Sequence, residues 1–236
     1  MTHWLLFDYT DGDHWSSGEI ANLFVLALWL VKSTKAHVAF RFKIGFGAAD
    51  GESGFSRLYD RVQWIEGSVA PRYSNEDIAL ASQYFRTLLT IGKYGRLNHA
   101  LVLTLQACWQ GRWQGALVLF AAAAETLLTW SSKQGVTHRL ATTYACLVES
   151  DETKRDAAYQ EFKTCYDGRS DVVHGRGTNI ADDERLKLVI RWAEVVRGIW
   201  CSALTVQGLI DTLECSDEER EQHFSPCVSR LALGMV

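Results

Sequence analysis

The chain has 236 residues and a mass of 26.6 kDa, which suits one large domain or a small domain joined to a medium one. Hydrophobic residues make up 47% and charged residues 22%, so a packed core can form and a wholly disordered chain is excluded. A formal charge of −4 excludes a histone-like electrostatic grip on nucleic acid, though not a local basic site.

The opening MTHWLLFDYTDGDHW has no basic leader region and does not read as a secretory signal; within it, Trp4–Tyr9 is a short strand candidate. Asp8, Asp11 and Asp13 with Gly12 lack the twelfth-position acid of a calcium loop and read as a polar turn. Ser16 or Ser17 can cap a helix whose apolar stripe is Ile20, Leu23, Phe24, Ala27, Leu28 and Val31. This is the most apolar stretch, and it is too short to span a bilayer. In His37–Phe46, Val38, Phe40, Phe42 and Ile44 alternate with Ala39, Arg41 and Lys43, the period of a half-buried strand. Gly45, Gly47, Gly51 and Gly54 follow without the ending of a phosphate loop or the GxGxxG spacing, so this stretch reads as a loop or hairpin. Leu58–Ile65 is a further strand candidate. From residue 74 the texture is helical, beginning with a capping start at Ser74-Asn75-Glu76-Asp77. Helices are expected at roughly 75–92, 96–110, 112–132, 137–149, 152–174 and 181–213, punctuated by Gly95, Gly111, Gly135 and Gly175. Residues 214–222 hold Glu214, Asp217, Glu218, Glu219 and Glu221 against Arg220, five acids to one base, which equals the whole net charge of −4.

The expected fold is therefore mostly α. A helical bundle spans 71–213, a small α+β region occupies 1–70, and a loosely held acidic tail covers 214–236; the first boundary falls near Ala70-Pro71. Six cysteines occur without any CxxC pair or clustered histidines, which points to reduced structural thiols rather than zinc ligands. Neither a metal nor a cofactor is expected. The nine tryptophans read mostly as core, with Trp109, Trp113 and Trp130 as candidates for a contact surface. The chain reads as cytoplasmic, with no membrane partner.

The segment Cys165–Gly177, CYDGRSDVVHGRG, gathers Arg169, Ser170, Asp171 and His174 at the end of an amphipathic helix whose apolar side is Ala158, Phe162, Cys165 and Tyr166. Gly175 is a natural C-terminal cap. One reading is plain surface chemistry, with His174 favoured by the helix dipole and Arg169 paired with Asp171 or Asp167. The other is RNA cleavage without metal. Histidine exchanges protons near neutral pH, and arginine clamps phosphate in a fork that does not deprotonate. A histidine would manage the protons of the 2′-OH and of the leaving 5′-oxygen, and an arginine would stabilise the phosphorane-like transition state. Residues five apart on a helix sit about 140° from each other. Two copies related by a twofold axis would bring two of each residue into one cleft.

The segment Tyr166–Gly175, YDGRSDVVHG, resembles the signature of the HEPN superfamily, and within it the ApeA-like HEPN group, whose motif runs Tyr-x-x-Arg-Ser-x-x-x-His-Gly. A second stretch, Gly115–Trp130, is similar to the family's apolar helix with an acid just before a Leu pair, matched by Glu125, Leu127 and Leu128. The resemblance covers roughly residues 75–213. It implies a dimerising helical bundle which, in active members, is a metal-independent endoribonuclease of antiphage defence, of abortive infection or toxin type, leaving 2′,3′-cyclic phosphate ends. By position, Arg169 and His174 would be the catalytic pair, supported by Ser170, Asp171 and Tyr166. Glu125 lies on an apolar face and needs a partner, either Arg169, which it would orient, or another Arg or Lys. The implied partners are RNA, a second copy of the chain, and a regulatory protein or phage-derived trigger. The alternative is a non-catalytic HEPN module that binds RNA or nucleotide, or a scaffold within a defence complex. Gly168, just before the arginine, departs from expectation, since glycine costs a helix interior about 1 kcal/mol against alanine.

Overall fold

The computed structural model describes residues 15, 17–32, 40–43, 54–57, 73–91, 95–130, 135–176, 181–206 and 208–232. The strand candidates Trp4–Tyr9 and Leu58–Ile65 and the Asp8–Asp13 turn lie outside them. The described chain is mostly helical: α1 (Ser17–Val31), α2 (Asn75–Thr90), α3 (Arg96–Cys108), α4 (Trp113–Leu128), α5 (Val136–Val148), α6 (Arg155–Val173), α7 (Asp182–Thr205), α8 (Leu209–Glu214) and α9 (Asp217–Ala232). Strands β1 (Phe40–Lys43) and β2 (Gly54–Arg57) pair antiparallel with Phe42 opposite Phe55; Gly45, Gly47 and Gly51 of the glycine-rich stretch lie outside the described residues. None of the described helices is long and apolar enough to cross a membrane.

Local chemistry sets the helix ends. Ser74 and Asp77 form a reciprocal capping box, with Asp77 N–H donating to Ser74 Oγ at 3.2 Å and Ser74 N–H donating to Asp77 Oδ2 at 2.7 Å. Lys32 also pairs with Asp77, tying the end of α1 to the start of α2. The single helix expected over 181–213 is instead two, because Gly208 adopts φ +80 and turns the chain between α7 and α8.

Alanine gives α4 its central place. Ala116, Ala121, Ala123 and Ala124 are fully buried, which lets neighbouring helices approach closely, and Phe120 stacks on Trp29 of α1. Leu23 and Leu30 of α1, Leu88 of α2, Phe162 of α6 and Trp200 of α7 belong to one continuous core. The expected boundary near residue 70 therefore does not separate two cores. Helix α1 packs as part of the bundle, and its Leu30 carbonyl accepts Arg197 Nη1 at 3.1 Å from α7.

As far as residue 232, the tail expected to be loosely held is helical and packs on the bundle. Residues 217–232 are helical, Arg220 is fully buried and Phe224 is 3% exposed. The acids Glu214 and Asp217 find partners on α3 rather than repelling one another in solvent. Trp130 is likewise core and not a contact surface, being 6% exposed with its indole N–H donating to Thr143 Oγ1 at 3.3 Å. Cys108, Cys146, Cys165, Cys201 and Cys215 are free thiols, and burial pushes Cys108 and Cys165 up to about 12.

Candidate functional site

Helix α6 is locked to the bundle one turn before the motif. Phe162 is fully buried between Tyr144, Tyr166 and Trp192, at centroid separations of 5.3, 6.1 and 5.6 Å. Trp192 of α7 donates its indole N–H to the Cys165 carbonyl at 3.0 Å. Gly168 then faces α7 so closely that a Cβ there would sit 3.0 Å from Leu188 Cδ1 and 3.1 Å from Cδ2. The glycine that lowers helix propensity thus permits the close approach of α6 and α7.

Arg169 turns toward α4. Its Nη2 lies 3.3 Å from Glu125 Oε1, with side chains 25% and 28% exposed, and its guanidinium covers the Tyr166 ring at 5.5 Å. Burial first and the charge of Glu125 next push the Tyr166 phenol up, while Arg169 opposes them. The ion pair is longer than the roughly 2.7–2.9 Å of an ideal charged hydrogen bond. Arg169 Nε and Glu125 Oε1 are buried and have no hydrogen-bond partner among the described residues. The guanidinium is therefore oriented without being saturated.

Of the partners open to these residues, Arg169 takes Glu125 and neither nearby aspartate. Asp167 pairs with Lys163 at 3.2 Å, and Asp171 with Arg176 at 3.9 Å. Helix α6 ends in a Schellman motif. His174 is the capping residue, Gly175 adopts φ +71, Gly175 N–H donates to Val172 O at 3.1 Å, and Arg176 N–H donates to Asp171 O at 2.8 Å. The His174 side chain is exposed. Ser170, half-buried, supplies the carbonyl that receives the His174 N–H at 3.0 Å.

The fold thus brings Arg169, Glu125 and Tyr166 together and leaves His174 on the surface at the end of the same helix. Val173 beside it is 50% exposed. Among the described residues no cluster of His, Cys, Asp and Glu could hold a metal ion. Sequence reasoning passes over two features that shape this site: the fit of Gly168 against Leu188, and the grip of Arg96 and Arg220 on the end of the helix that carries Glu125. Gly168 carries a signal, being a glycine in the interior of an amphipathic helix; the arginines carry none, since their contacts span 33 and 93 residues. Comparison of the chain with family models, curated proteins and solved structures gives no match.

Proposed function

We propose that this chain is a HEPN-type, metal-independent endoribonuclease of cytoplasmic antiphage defence, working as a homodimer. The observation that carries the reading is the oriented but unsaturated Arg169, held by Glu125 and Tyr166 on the helix that ends in an exposed His174. In the proposed reaction, His174 of one protomer takes the 2′-OH proton and the 2′-oxygen attacks the adjacent phosphorus. The P–O5′ bond breaks, and protonated His174 of the partner subunit gives its proton to the leaving 5′-oxygen. Arg169 stabilises the charge on the phosphorane oxygens. The products are a 2′,3′-cyclic phosphate and a 5′-OH, with no oxidant or cofactor consumed. Because five helical steps separate the two side chains by about 140°, a cleft between two copies supplies both functions where one copy does not.

A non-catalytic module that binds RNA or nucleotide is the second reading. It is favoured by one observation, that the charge of Arg169 is already paired within the chain.

Labelled RNA incubated with the purified protein in EDTA tests both. Cyclic phosphate ends support the nuclease, and RNA bound but uncut supports the module. In the nuclease, His174→Ala and Arg169→Ala each lower the rate about 10²–10⁴-fold while the fold survives. Arg169→Lys rescues poorly, because an ammonium lacks the fork. Sedimentation is expected to give twice the 26.6 kDa chain mass. Full activity in a well-folded His174→Ala protein overturns the reading.

A further inference from the structure

The last turn of α4 faces two ways. On one side it presents Glu125 to Arg169. At its end, where helical carbonyls have no partner within the helix, two guanidiniums from distant elements take them. Arg220 of α9 donates Nη2 to the Leu127 carbonyl, and Arg96 of α3 donates Nη1 to the Thr129 carbonyl at 2.7 Å. Arg96 also pairs with Asp217 at 2.6 Å, so α3, α4 and α9 are cross-linked at one point. Positive charge there complements the negative end of the α4 dipole. Leu127 and Leu128 are fully buried, and the Thr129 N–H closes the turn on the Glu125 carbonyl at 2.9 Å.

Arg220 is an expensive way to fill this space. It is fully buried, and its Nε and Nη1 have no hydrogen-bond partner among the described residues. An apolar side chain of similar volume would pack without the cost of burying that charge. What only Arg220 or another donor supplies is the bond to the Leu127 carbonyl, two residues from Glu125.

We infer that Arg220 is a positioning residue for the Arg169 site: by holding the Leu127 carbonyl it fixes the final turn of α4, and with it the carboxylate that aims Arg169. The inference rests on the nuclease reading for its kinetic readout only. A packing role would alter melting alone. A positioning role alters the geometry of Arg169, and displacements of about 1 Å at a distance from the chemistry can cost as much as about 10²-fold in rate.

The test compares Arg220→Met, Arg220→Gln and Arg220→Lys with Tyr73→Phe in the full-length protein. Tyr73→Phe serves as a destabilised control, because its hydroxyl bonds the Leu28 and Lys32 carbonyls at the C-terminal end of α1. On RNA, Arg220→Met and Arg220→Gln are expected to lower kcat about 10-fold with KM little changed, since binding contacts survive while aim is lost. Arg220→Lys keeps a donor and recovers most of the loss, and Tyr73→Phe keeps its rate. Arg220→Gln carries the comparison if Arg220→Met does not fold. The Arg169 Nε–H resonance, assigned by its disappearance in Arg169→Lys, reads the same geometry without any activity. It shifts in Arg220→Met and Arg220→Gln and stays in place in Tyr73→Phe. If the wild-type protein cuts no RNA, the nuclease reading falls and the resonance alone decides the positioning role. An unmoved Arg169 resonance, or an unchanged kcat in an active and folded Arg220→Met or Arg220→Gln protein, overturns the inference.

Discussion

Replacing Glu214 by alanine removes the cap of a helix that begins 118 residues earlier in the chain. Helix α3 starts after Gly95, which offers no side chain, and the Glu214 carboxylate instead accepts Arg96 N–H at 3.0 Å and Leu97 N–H at 2.8 Å. Losing an N-terminal cap costs about 1 kcal/mol. Losing the favourable placement of an exposed negative charge at the positive end of the dipole adds about 0.3–1 kcal/mol. The expected loss is about 1–2 kcal/mol, or about 3–6 °C in Tm for a chain of this size. Glu214→Gln keeps an acceptor oxygen and loses about half as much. Gly95→Ala supplies the cross-check. Its φ is +140, and an added Cβ would lie 1.9 Å from Glu214 Oε1, so the substitution is strained and also expels the cap. With Glu214 already alanine, the second part of that cost disappears, and the two losses fall short of additivity by about 1 kcal/mol. Thermal and urea melts followed by far-UV circular dichroism measure all four proteins. A Tm for Glu214→Ala within about 1 °C of the wild type, or strict additivity with Gly95→Ala, refutes the long-range cap.

Gly168→Ala gains about 1 kcal/mol of helix propensity and loses more to crowding, because Leu188 must give way and overpacking costs about 1–3 kcal/mol. It should lower Tm in the wild-type chain and raise it in a Leu188→Ala background, and urea melts that show stabilisation in both would refute the close fit. Lys32 first, and then the Ser74 N–H, hold the Asp77 carboxyl below its ordinary value of 3.8. A depressed folded-state value means that this stabilisation is complete above pH 3.8 and is lost as the pH falls through the lower folded value. The Tm gap between wild type and Asp77→Asn should therefore close in acid, whereas parallel pH profiles would exclude the linkage. Removing residues 1–70 takes Leu23, Leu26, Trp29 and Leu30 out of the core, all at most 4% exposed. Each contributes about 1.5–3 kcal/mol of burial, against a whole-domain stability of about 5–15 kcal/mol. The remaining 71–236 segment is expected to lose cooperative unfolding in calorimetry, and a sharp, reversible transition would show that α1 is dispensable.

What is local in this chain can be read from its residues. The stripe from Ile20 to Val31 specifies α1, the Ser74–Asp77 spacing specifies the capping box of α2, and Gly175 specifies the Schellman ending after Val173, because each depends on hydrogen bonds and side-chain periods within one or two turns. The candidate site is legible to the same depth: the motif places Arg169 and His174 on one helix and names Glu125 as an acid in need of a partner. The choice among partners belongs to the packing. Asp167 and Asp171 lie nearest Arg169 in the chain, yet the buried stripe of α6 turns Arg169 inward to α4 while the two aspartates face Lys163 and Arg176. Likewise Glu214 and Arg220 read as an acidic run in solvent until α8 and α9 fold back onto the ends of α3 and α4. A carboxylate or guanidinium carries no record of which of its many distant partners it will meet. That is decided when helices bury their apolar faces, since only then does each polar group lose water and require a specific replacement.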